Sequence, residues 1–143
     1  KGVLTINAPA AQGASGDLKS AVEIKLADVT LSIPLDVAHA IVVSLDGQPI
    51  AKSKRMLLQV MTEEKATGFR SESLGERRHR ITSIGENPWQ VRRLEGIVRL
   101  RRADAAKLKV TALDQFGQPT ADTASGDSIP LRAETLYYSI DAP

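Results

Sequence analysis

Apolar side chains recur at every second position over much of this chain, and that period admits few architectures. Val22, Ile24 and Leu26 stand against Glu23 and Lys25, and Val29, Leu31 and Ile33 against Thr30 and Ser32. A strand points successive side chains to opposite faces, so this spacing predicts strands with one face to a core and the other to water. Pro34 ends the second run, because it cannot donate to a central ladder. Further on, Val98 and Leu100 alternate with Arg99 and Arg101, and Leu108, Val110 and Ala112 with Lys109 and Thr111. Residues 129–131 and 136–140 supply the last strands, in which Tyr137 and Tyr138 should face opposite ways.

The segment 40–60 carries the clearest supersecondary signal. It reads Ala40-Ile41-Val42-Val43-Ser44-Leu45, then Asp46-Gly47-Gln48-Pro49, then Ser53-Lys54-Arg55-Met56-Leu57-Leu58-Gln59-Val60. Asp-Gly accepts the positive φ of a tight hairpin, and Pro49 fixes φ just beyond it. Residues 40–43 and 56–58 are apolar on both faces, as strands near the middle of a sandwich are. Residues 55–65 are also good helix formers. The turn before them and the lack of a cap-and-box start favour a strand return. The expected core includes Ile41, Val43, Leu45, Met56, Leu58, Leu108, Val110 and Tyr138.

Residues 67–88, rich in Gly, Ser, Glu and Arg, read as a loop region in which Ile81 and Ile84 anchor one short strand. Residues 121–127 read as a small-residue loop. Eight to ten short strands, turn signals every roughly 8–12 residues and no convincing long helix predict an all-β, antiparallel β-sandwich. At 143 residues the expectation is a single domain spanning 1–143. The chain opens at Lys1-Gly2-Val3-Leu4 inside what reads as a strand, as a piece excised from a larger multidomain protein would.

Composition removes several chemistries. There is no cysteine, hence no disulfide framework and no thiolate nucleophile. No apolar run approaches the roughly 18–20 residues of a membrane-spanning helix, and no membrane partner is expected. Net charge is only +2, from 19 basic and 17 acidic residues, although Arg77, Arg78, Arg80, Arg92, Arg93, Arg99, Arg101 and Arg102 bunch together. Five aromatics and no reading helix give little purchase on nucleic acid, which is not expected as a partner. His39 and His79 lack metal-ligand spacing, and no Gly-x-Ser-x-Gly elbow is present. Glu63 and Glu64 are adjacent, so in a strand they point apart and cannot act as a carboxylate pair; Asp46, Asp114, Asp122 and Asp127 sit in turns. The expectation is a non-enzyme with no catalytic residue, no metal ligand and no cofactor. A structural calcium in an oxygen-rich loop is the alternative, without an Asp-x-Asp-x-Asp pattern to support it.

Trp89, with Phe69 in the same loop-rich region, is the one candidate platform for stacking a sugar ring. The competing reading makes Trp89 a core plug or an interdomain contact, because exposing so large an apolar surface is costly.

Three segments together resemble the C-terminal all-β accessory domain of bacterial glycoside hydrolases. They are Val42-Val43-Ser44-Leu45-Asp46-Gly47-Gln48-Pro49-Ile50-Ala51-Lys52-Ser53-Lys54-Arg55 with Leu57-Leu58-Gln59-Val60, the turn Gly85-Glu86-Asn87-Pro88-Trp89, and Val110-Thr111-Ala112-Leu113-Asp114-Gln115-Phe116-Gly117. Thr67-Gly68 corresponds to a Thr-Gly step in such domains. Ile6-Asn7-Ala8-Pro9-Ala10-Ala11-Gln12-Gly13 looks like the segment leading from a catalytic barrel into its sandwich. These are turn and core motifs, and they carry over no catalytic residue. The resemblance implies a non-catalytic accessory module of a carbohydrate-active enzyme, secreted or periplasmic in a bacterium. It would bind or position polysaccharide, with a catalytic glycoside hydrolase domain in the same polypeptide. The alternative is a purely structural domain that packs against that catalytic domain and stabilises it.

Overall fold

The computed structural model describes residues 2–76 and 78–143, so Arg77 of the arginine cluster lies outside the described residues. The elements in chain order are β1 (Val3–Ala8), β2 (Ala11–Gly16), α1 (Leu18–Ala21), β3 (Ile24–Lys25), β4 (Val29–Ser32), β5 (Ala38–Ser44), β6 (Arg55–Thr62) and β7 (Glu64–Thr67). There follow β8 (Arg70–Ser73), β9 (His79–Ser83), β10 (Glu86–Val91), β11 (Ile97–Leu100), β12 (Lys109–Leu113), β13 (Pro119–Ser125), β14 (Ile129–Pro130) and β15 (Tyr137–Asp141). The all-β, sandwich-like class is as expected, with more and shorter strands. Among the described residues no helix is long and apolar enough to cross a membrane.

The chain divides into two compact units. One takes the residues up to Met61 together with Arg93–Pro143; the other is Thr62–Arg92. The first contains a seven-stranded sheet, ordered β1-β2-β5-β6-β15-β12-β13, and a four-stranded sheet, ordered β14-β11-β4-β3. Register explains its core. Tyr138 lies opposite both Leu58 and Ala112, and Ile140 opposite both Met56 and Val110, so these six side chains share one face. On the smaller sheet Leu31 lies opposite Val98, and Val98 opposite Ile129. All nine belong to one buried cluster. The buried Gln12 of β2 exchanges two 2.7 Å hydrogen bonds with Asp28, just before β4, so its amide enters the interior with donor and acceptor both satisfied.

Several local expectations fail for identifiable reasons. In β5 the core side is Ala38, Ala40 and Val42, whereas Ile41 and Val43 are half-buried and Leu45 is 55% exposed. A one-residue change of phase sends every side chain to the other face, and a strand apolar on both faces hides its phase. The Asp46-Gly47 turn is not a tight hairpin. Ten residues, 45–54, separate β5 from β6. Gly47 does take positive φ, at 74°, but the loop continues so that Ile50 can be fully buried. The expected strand at 22–26 survives only as β3. Asp17 caps α1 instead, its carboxylate accepting from the Ser20 backbone N–H (3.2 Å) and the Ser20 hydroxyl (2.6 Å), and Val22 ends the helix at φ 61°, 78% exposed. Residues 121–127 are not merely a loop either, because β13 occupies most of them.

Candidate functional site

The presumed loop region is a β-ribbon. Within Thr62–Arg92, β7 pairs with β10 and β8 with β9, all antiparallel, and Gly75 lies between β8 and β9. The short strand expected around Ile81 is β9, whereas β8 and β10 escape sequence reasoning because their inward-outward alternation is absent: both are exposed at every position. Turn glycines are the surviving signal. Gly85 has φ 72°, and a Cβ there would come 2.6 Å from the Thr67 carbonyl oxygen, so only glycine fits.

Both aromatic candidates are tied to Ala66, which is buried. Trp89 lies opposite Ala66 across the ladder, and the Phe69 backbone N–H donates to the Ala66 carbonyl at 3.0 Å. The register slips between Glu86 and Trp89, and the Thr67 hydroxyl holds that bulge by donating to the Pro88 carbonyl at 2.6 Å. Trp89 is 63% exposed, so it is not a core plug, whereas Phe69 is half-buried. In the same unit an open cleft of about 270 Å³ is lined by Thr67, Gly68, Ser83, Ile84, Gly85 and Glu86. The ribbon thus carries an exposed indole at its bulge and a cleft lined by hydroxyls and a carboxylate, of which Trp89 is not a wall. A flat ring with an apolar face and polar edges matches that chemistry.

The charged side chains of the ribbon are mixed in sign. Arg80 faces Glu72 across the β8–β9 ladder, and Arg78 and Glu76 form an exposed pair at 3.8 Å. In the sandwich unit Arg102 is structural. Its nearly buried guanidinium donates to both carboxylate oxygens of Asp104 (2.6 and 2.8 Å) and to the carbonyls of Ile50 (2.8 Å) and Ser53 (2.7 Å). Hydrogen bonding to Arg102 holds the Asp104 carboxyl below its ordinary range. Asp46 is the other organiser of the 45–54 loop. Its carboxylate accepts from the Lys54 and Gln48 backbone N–H groups and from the Ser44 and Ser53 hydroxyls. The Lys54 bond leads in holding Asp46 well below the usual carboxylate range, against a smaller opposing effect of desolvation. Sequence reasoning recognised Asp46 as a turn residue; the loop folded around it came only with the structure.

His79 is exposed on β9. His39 is different, since its Nδ1 lies 2.6 Å from the Ser15 hydroxyl oxygen. The pair borders a groove of about 210 Å³ on the outer face of the larger sheet, whose walls include Leu4, Ile6, Ile41 and Met61. Among the described residues no group of three His, Cys, Asp or Glu side chains is placed to hold a metal ion.

No protein-family model, no curated protein and no solved structure matches this chain.

Proposed function

We propose that this chain is a non-catalytic accessory module of a carbohydrate-active enzyme, exported from a bacterium, that binds polysaccharide through Trp89, with Phe69 as the second aromatic of the same unit. The supporting observation is the 63% exposure of Trp89 at the bulged end of the ribbon. A ring that large is costly to leave in water and gains most by stacking on a partner. One indole and one half-buried phenyl ring give a small stacking area, so affinity is modest and polar groups such as Ser83 and Glu86 supply the selection.

The test is retention of the chain on a panel of immobilised polysaccharides. Trp89→Ala should abolish retention while shifting Tm by no more than about 3 °C, the range of a sub-kilocalorie change in a domain of this size. Quenching of the single tryptophan's fluorescence by the retained glycan should accompany binding. Absence of both retention and quenching across the panel refutes the glycan reading. The exposed Leu74, Ile81 and Ile84 on the same ribbon favour the second reading, a structural module that packs on a neighbouring catalytic domain. In that case Trp89→Ala lowers the Tm of a chain carrying that domain and leaves the isolated module unchanged.

A further inference from the structure

An unpaired strand edge is a template for another strand, and folded proteins blunt such edges with charge, proline, a bulge or short length. Nearly every outer strand here is blunted in one of those ways. β13 carries Pro119 and Asp122 and pairs through a register slip; β3 is two residues long and includes Lys25; β14 is two residues long and includes Pro130. All four ribbon strands bear charged residues. β1 has none of these devices. It presents six residues, Val-Leu-Thr-Ile-Asn-Ala, without a charge or a proline, in an unbroken six-pair register with β2, and every one of them is exposed.

The side chains of β1 indicate what fits there. Leu4 and Ile6, 68% and 44% exposed, line the outer groove, while Asn7 reaches the other way and accepts from the Ala27 N–H at 3.0 Å. With no charge on the strand, electrostatic recognition of a foreign partner has nothing to act on. The strand is complementary to itself. An antiparallel pairing of two copies about a two-fold axis at Thr5 sets Leu4 opposite Ile6 of the other copy, and Ile6 opposite Leu4. Thr5 then meets Thr5, a favourable cross-strand pair.

We propose that β1 is the dimerisation edge of this protein, joining two seven-stranded sheets into one continuous sheet. This goes beyond the glycan reading and does not depend on it. The contact is small, below the roughly 1,200 Å² of stable complexes, so the dimer is weak and concentration-dependent.

Sedimentation equilibrium of the 143-residue chain over a wide concentration range should show the mass rising from monomer towards dimer. Leu4→Lys should weaken association at least about tenfold with an unchanged melting temperature, since Leu4 already faces water. Mixing the Leu4→Lys and Ile6→Glu variants should restore a dimer, because this register puts the new charges opposite each other. A second route does not need those variants to fold well. The chain has no cysteine, so Thr5→Cys should form a disulfide-linked dimer on mild oxidation far faster than Phe116→Cys, a control at an exposed turn. A wild-type chain that stays monomeric at its highest soluble concentration, or equal cross-linking at the two positions, overturns the proposal. Association that Leu4→Lys leaves untouched does so too.

Discussion

The sandwich unit and the ribbon unit are both built from antiparallel β-structure, yet they are stabilised in different ways. The buried hydrophobic cluster draws its members from the sandwich and none from the described residues of 62–92. Among the described residues of the ribbon only Thr62 and Ala66 are buried. The difference shows that strand pairing alone does not make a core: a sheet face is removed from water only when a second layer covers it, and two-stranded ribbons are marginal in water without one. Turn glycines and backbone ladders hold the ribbon; side-chain burial holds the sandwich.

Hydrogen exchange should break that comparison most sharply. Amides of β6, β12 and β15 should exchange only through global unfolding, whereas those of β8 and β9 open locally at close to zero cost, a separation of roughly four or more orders of magnitude in protection. Equal protection in the two regions would mean that the ribbon belongs to the same cooperative unit. A smaller but still large effect is expected within one strand. Val42→Asp places an unpaired charge in the core and should cost about 3–5 kcal/mol, whereas Val43→Asp, on the half-buried face, should cost about 1 kcal/mol. Urea titration of both variants measures the phase of β5 directly, and the reverse order would place Val43 inward.

The smallest effect concerns the 45–54 loop. The folded-state pKa of Asp46 is lowered, so the stability it contributes is present above the unfolded carboxylate value of about 3.9 and is lost as pH falls from there through the folded value. Asp46→Asn should flatten the acid limb of the stability profile below about pH 4. Wild type and variant losing stability in parallel on acidification would show that Asp46 does not organise the loop.

Much of the sandwich is legible in the sequence. Alternation at 98–101 and 108–112 locates β11 and β12, and Tyr138 is buried while its neighbour Tyr137 is half-buried, because a period of two follows from strand geometry alone. The strand 55–62 forms as expected despite its helix-forming residues, although the turn that argued for it proves to be a ten-residue loop. At the candidate site, Trp89 and Phe69 are recognisable as the rare aromatics of their segment. Their shared attachment to Ala66 is not, because it runs through cross-strand pairing at a bulge.

Local sequence therefore determined the β class, the positions of most turns and which residues of the ribbon are aromatic. Tertiary structure alone decided which side of β5 faces inward, that residues 67–88 pair as a ribbon, that Ile50 extends a hairpin turn into a ten-residue loop, and that Trp89 stands in solvent. Phase, pairing and exposure are properties of what lies opposite a residue across a ladder or a layer, and those neighbours are distant in sequence.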